Sequence, residues 1–266
     1  MNHLHEIFEA LQQGRCLCRT DIDDGQAASF TKLLKENGRR AICFELGPVD
    51  LVTTMDPVPD LVRLPYPVCW FEGTVVGPER TVILGALAQQ LDPANSANIN
   101  CLFFTRGKAV DVDGAVGHGR SWLCMGYFEL RVGQEKVGVG ASPPPILEDA
   151  KAFALWIGCF LSALHCVNVQ RVELPPPSAA LQRARAKKGK APLFSTWTLD
   201  IVVPHTKQAS RPNEGGTHSS PRVHLRRGHP RQHSPGRWTW VQPHVVGNRS
   251  IGMVHKDYRG VPQINN

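Results

Sequence analysis

Residues 147–166 constrain the fold more than any other stretch. Phe153, Trp156, Ile157, Phe160, Leu161 and Leu164 recur at helical spacing and make an apolar stripe too wide for a surface helix. Glu148 and Asp149 suit the first turn of a helix there, because a helix N-terminus favours negative charge. The most apolar part is too short to cross a bilayer. No run of 18 apolar residues occurs anywhere in the 266 residues. The stretch is therefore expected as a central core helix. With 42% hydrophobic and 20% charged residues, the chain has the material for a core around it. The first six residues lack the charged start and apolar run of a secretory signal.

Around that helix, short helices and strands mix without regular alternation. Leu4, Ile7, Phe8 and Leu11 predict a helix over 3–13, ended by Gly14. Phe30, Leu33 and Leu34 predict a second over 27–37, closed by Gly38. Strands are expected at 40–46, 68–72, 81–87 and 100–105, then at 121–132 with mixed alternation, and at 169–174 and 193–203. Pro65 and Pro67 hold the approach to 68–72 extended. This pattern predicts an α+β fold: a mixed or antiparallel sheet, the apolar helix near 147–166 at its centre, and a basic C-terminal β-hairpin. Most of the eight cysteines sit inside apolar runs and read as free, buried thiols rather than as disulfides or a CxxC site.

Charge divides the chain. Residues 1–176 hold 15 Lys and Arg against 20 Asp and Glu; residues 177–266 hold 15 Lys and Arg against Asp200, Glu214 and Asp257 alone. Six of the eleven histidines follow residue 217, and none of the cysteines does. The division predicts a mildly acidic α+β core over 1–176 and a basic, His-rich segment over 177–266 that packs on it and carries the functional site. Such a cationic segment fits a polyanionic partner.

Within that segment, strands are expected at 221–227 and 237–246, joined by a nine-residue loop, 228–236. Side chains alternate along a strand, so Val223 and Leu225 would face a core while Arg222, His224 and Arg226 line the opposite face. Arg227, His229 and Arg231 follow on the turn and loop. Trp238 and Trp240 share one face of the partner strand; in one register they would lie beside the Arg/His row as a cationic and aromatic platform. Guanidinium groups hold phosphates through paired hydrogen bonds, and exposed indoles stack on unpaired bases. Arg183, Lys187 and Lys188 form a second basic run that could track phosphates.

No phosphate loop, dinucleotide fingerprint, nucleophile elbow or HExxH is present. Asp111 and Asp113 begin like a calcium loop but lack its later ligands. His218, His224, His229 and His233 would make an all-His zinc site flanked by arginines that repel the ion. No metal or cofactor is therefore expected. The leading expectation is nucleic-acid binding, RNA or DNA. An alternative is a metal-independent ribonuclease, with His224 and His229 as general base and acid, Arg226 stabilising the phosphorane and Tyr258 assisting. Another is an inhibitor that binds a host or defence protein through the basic face. No membrane contact is expected.

Three stretches together carry a resemblance: 63–72 (Arg-Leu-Pro-Tyr-Pro-Val-Cys-Trp-Phe-Glu), 183–192, and 218–229 continued by 238–247 and by His255, Lys256, Asp257 and Tyr258. Their order resembles a family of uncharacterised proteins from bacteriophages, prophages and plasmids, most specifically around Arg226-Arg227-Gly228-His229. The resemblance implies a mobile-element origin and a bacterial host cytoplasm. It brings no catalytic residues.

Overall fold

A computed structural model of the chain describes residues 3–13, 18, 22–46, 56–76, 81–90, 98–106, 122–133, 136–142, 147–174, 177–201, 222–226, 228–241, 244–246 and 248–253. Strands that are apolar on both faces decide its architecture. In β1 (Ile42–Glu45), Cys43 and Phe44 are both buried; in β2 (Val68–Val76), so are Cys69, Trp70 and Phe71. Such strands need cover on both sides. One side is covered by α1 (Leu4–Gln12) and α2 (Asp24–Asn37), whose Leu4, Ile7, Phe8 and Leu34 join Cys43, Trp70, Leu87, Leu102, Phe104 and Trp122. The other is covered by α3 (Leu147–Leu164), whose Phe153, Trp156, Ile157, Phe160 and Leu161 join Phe44, Phe71, Phe103 and Phe128. The sheet is the middle of three layers.

The meander continues through β3 (Thr81–Gln89), β4 (Ile99–Arg106), β5 (Trp122–Val132) and β6 (Val137–Ser142), every neighbour antiparallel. After α3 come β7 (Val169–Glu173), α4 (Ala179–Lys187) and β8 (Thr196–Ile201). The strand order is β6-β5-β4-β3-β2-β1-β8-β7, with β1 parallel to both β2 and β8. The sheet is thus mixed, and the chain holds both helices and strands. β8 lies in the basic segment, yet it inserts between β1 and β7. The change of charge after the second proline triplet therefore falls within one sheet.

A one-residue irregularity explains the mixed alternation of β5. Phe103 pairs with Gly126 but Phe104 pairs with Cys124, leaving Met125 extra, and Gly126 adopts φ 133°. Before the bulge, Trp122 and Cys124 face the α1 side; after it, Phe128 and Leu130 face α3. The same parity serves opposite layers. β6 escapes sequence reading because Gly138 and Gly140 interrupt its apolar pattern. Their absence of side chains leaves room for Arg131, whose guanidinium lies over Gly140 and bonds Glu129 Oε2 at 2.8 Å.

Polar contacts seat α1. The Glu72 carboxylate accepts from the His3 backbone N–H at 2.8 Å and from Trp70 Nε1 at 3.2 Å, and contacts His3 Nδ1 at 2.6 Å. A carboxylate there satisfies an orphan helix donor and complements the dipole. Glu6 binds Arg106 and Trp122 Nε1.

The seven described cysteines are free. Burial raises the thiol pKa of Cys69 and Cys159 to about 12 and of Cys166 to about 11, and raises those of Cys43 and Cys101 further. These native thiols stay protonated at pH 8. Alkylation of native protein at pH 8 is therefore expected to spare all five, while denatured protein reacts at every cysteine; mass spectrometry of the adducts checks this. The native pKa values lie above the unfolded one, so the associated stability is present below about pH 8.5 and is lost as pH rises from there toward 11–12.

Candidate nucleic-acid interface

Five further strands follow in two small sheets: β9 (Arg222–Arg226), β10 (His229–Ser234), β11 (Arg237–Val241), β12 (His244–Val246) and β13 (Asn248–Met253). β10 and β11 form an antiparallel hairpin; β9 lies between β12 and β13. The expected hairpin of 221–227 with 237–246 is found only at its far end, where β12 runs antiparallel to β9; residues 237–241 pair instead with 229–234. The stretch expected as its loop is itself a strand. Pro235-Gly236 makes the turn, with Gly236 at φ 73°, as a proline–glycine pair of type II requires. A register shift between Gln232 and Ser234 absorbs the mismatch with strand twist.

The register separates the tryptophans from the arginines. Trp240 pairs with Pro230 and Trp238 with Gln232; Thr239 pairs with Arg231, and Val241 with His229. Cross-strand partners share a face. One face therefore carries Trp238 and Trp240, and the other carries His229, Arg231, Arg237 and Thr239. The tryptophan face packs down. Trp240 is 5% exposed and contacts Ala163 and Cys166 at the end of α3, with Trp238, Val169 and Leu199 beside it. The loop after α3 completes the attachment. Asn168 Nδ2 donates to Trp240 O at 2.9 Å, Trp240 N donates to Asn168 Oδ1 at 2.7 Å, and Val167 N donates to Trp238 O at 2.9 Å. Trp240 is thus a core residue and offers no stacking surface; the expected Arg/Trp platform is not formed. Arg231, His233 and Arg237 are exposed, and neither arginine has a carboxylate partner among the described residues.

The other expected residues fall elsewhere. In β9, Arg222 is opposite Asn248, His224 opposite Val246 and Arg226 opposite His244. His244, which sequence reasoning passed over as a site residue, is therefore the register neighbour of Arg226. His224 and His229 lie on strands of different sheets, so no common ladder holds them as an acid–base pair. Arg227 and Tyr258 lie outside the described residues.

The basic run that includes Arg183, Lys187 and Lys188 begins on a helix, α4. Ser178 caps it by accepting from Leu181 N at 3.2 Å. Gln182 fastens it by donating from Nε2 to Leu193 O at 2.8 Å and accepting from Leu193 N at 3.0 Å. Arg185 is spent on structure, binding Glu9 of α1 and Ala191 O. Arg183, Lys187, Lys188 and Lys190 are exposed. Arg183 and Lys190 flank an open recess of about 470 Å³ with Gln182, Ala186 and Pro192. No group of histidine, cysteine, aspartate or glutamate among the described residues could hold a metal ion. No helix among them is long and apolar enough to cross a membrane.

No protein-family model, curated protein or solved structure matches the chain.

Proposed function

We propose that the chain binds nucleic acid through the outward face of the β10–β11 hairpin and the exposed cations of α4. One observation carries this reading. The hairpin buries its tryptophans against α3, and so presents Arg231 and Arg237 to solvent on a fixed backbone without counter-charge among the described residues. Guanidinium groups held this way can bind phosphates bidentately at little ordering cost. The tryptophans position the arginines instead of stacking on bases. Thr239 lies between the two arginines in register and adds a hydroxyl to the same face. α4 supplies Arg183 and Lys187, and the turn after it Lys188 and Lys190, all exposed, with no acidic residue in the helix. The resemblance to proteins of mobile elements is compatible with such a role in a bacterial host.

Purified protein is titrated into labelled single-stranded RNA, single-stranded DNA and duplex DNA with chelator present, and run on native and denaturing gels. The reading expects a shift at low salt that weakens at physiological salt, with no new bands on the denaturing gel. No shift at low salt would contradict it. New bands that survive the chelator would move the assignment to a metal-independent ribonuclease.

A further inference from the structure

The bulge in β5 sets two cysteines opposite each other. Cys18, between α1 and α2, forms an isolated parallel bridge with Cys124. Cys124 therefore has Phe104 of β4 on one side and Cys18 on the other. The bridge lies beyond the end of β6, whose last residue, Ser142, is opposite Tyr127. The extra residue Met125 turns Cys124 to the α1 side, and both cysteines pack in the cluster on that side, with Trp122 and Phe104. Directly opposed residues of neighbouring strands share a face. Neighbouring strands run about 4.7–4.9 Å apart, within the roughly 4.4–6.8 Å between Cα atoms that a disulfide spans. The backbone bridge and the shared cluster are separate observations, and both bring together two thiols that lie more than 100 positions apart in the chain.

The described cysteines differ in access. Cys18 is half-buried, and the other six are buried. Cys43 shares the cluster but sits on β1, four strands from β5, and burial raises its thiol pKa. Cys69, Cys101 and Cys159 pack on the α3 side of the sheet, and Cys166 packs against Trp240. We propose that Cys18 and Cys124 form a redox modification site, which closes to a disulfide by exchange with a low-molecular-weight disulfide such as oxidised glutathione. The Cys18 sulfur, the accessible one, attacks first as thiolate. It bonds to one glutathione sulfur while the S–S bond of the oxidant breaks and the first glutathione leaves. The Cys124 sulfur then attacks the Cys18 sulfur and displaces the second glutathione. Two protein thiols are oxidised, one glutathione disulfide is reduced to two thiols, and these carry away the two protons. The new bond pins the segment between α1 and α2 to β5. The site is independent of the nucleic-acid reading. The competing explanation is that both thiols only fill space as small apolar side chains.

The test is oxidation of the folded C16S variant by oxidised glutathione, then alkylation under denaturing conditions and non-reducing peptide mapping. C16S removes the thiol two residues before Cys18, which shares the tryptic peptide 16–19 with it. The expected product is peptide 16–19 linked to peptide 121–131, with every other cysteine alkylated. Its melting temperature should rise by about 4–16 °C, because a cross-link over a long loop constrains the unfolded chain, and dithiothreitol should reverse the rise. C16S/C124S should instead hold glutathione on Cys18, with no linked peptide and no such rise. If C16S melts below wild type before oxidation, the linkage is read in wild type by fragmenting the linked peptide, where a bond through Cys18 supports the site and one through Cys16 overturns it. Alkylation of both Cys18 and Cys124 in the oxidised C16S protein would overturn the proposal. Glutathione retained on Cys18 beside an alkylated Cys124, or a bond from Cys18 to any other cysteine, would overturn it equally.

Discussion

Gly73→Ala is expected to lower stability by about 1–3 kcal/mol, seen as a drop in melting temperature of roughly 2–12 °C for a chain of this size. A Cβ on Gly73 would lie 2.4 Å from Cη2 and 2.5 Å from Cζ3 of Trp156, well inside van der Waals contact. Trp156 cannot swing away, because it is 2% exposed and packs against Phe153 at 5.9 Å between ring centres. Interiors packed to crystal density transmit such an intrusion instead of absorbing it. Gly85 is the counterpart on the opposite face of the sheet. A Cβ there would meet Trp70 at 2.4 Å and Trp122 at 3.1 Å, in the layer that seats α1. Gly73 and Gly85 lie one register step apart on paired strands, so a backbone shift at one changes the room at the other and the two losses are not expected to add. Thermal melts of both single variants and the double variant check this; a wild-type melting temperature in either single variant would contradict the packing described.

The second large effect concerns binding. Arg231→Glu with Arg237→Glu should weaken affinity for nucleic acid by roughly 10- to 100-fold at low salt, with thermal stability near wild type. Both side chains are exposed and have no carboxylate partner among the described residues, so their replacement leaves no buried group unsatisfied there. The hairpin itself rests on Trp240, Asn168 and the Pro235-Gly236 turn, all untouched. Like charges would then face the phosphates from a backbone that cannot turn them away. Lys32→Glu with Lys35→Glu, both at exposed positions of α2, changes net charge by the same amount and is the matched control; it should change affinity little. Equal losses in the control and the double variant would mean that general charge, not the hairpin face, governs binding.

The helices were legible because their cores impose a period. Leu4, Ile7 and Phe8 mark α1, and Phe153, Trp156, Ile157 and Phe160 mark α3. The central strands were legible as apolar runs. Three features were not, each for a physical reason. β6 packs through glycines that make room for Arg131, so it carries too little pattern. The parallel pairing of β1 with β8 joins residues more than 150 positions apart, which no local rule encodes. The hairpin register depended on reading Pro235-Gly236 as a turn; placed inside a loop, the pair lost its meaning, and Trp238 and Trp240 were set against the wrong strand. At the candidate site, composition revealed the cations, but only tertiary packing shows which face of the hairpin is free.

The most direct measurement is the affinity of the wild-type protein for a labelled single strand across a salt series from about 50 to 200 mM, with binding followed by anisotropy. Arg231, Arg237 and the α4 cations acting together predict saturable binding whose log affinity falls with log salt at a slope steeper than about −2. Absence of binding at the lowest salt, or binding indifferent to salt, would contradict the assignment of this surface to nucleic acid.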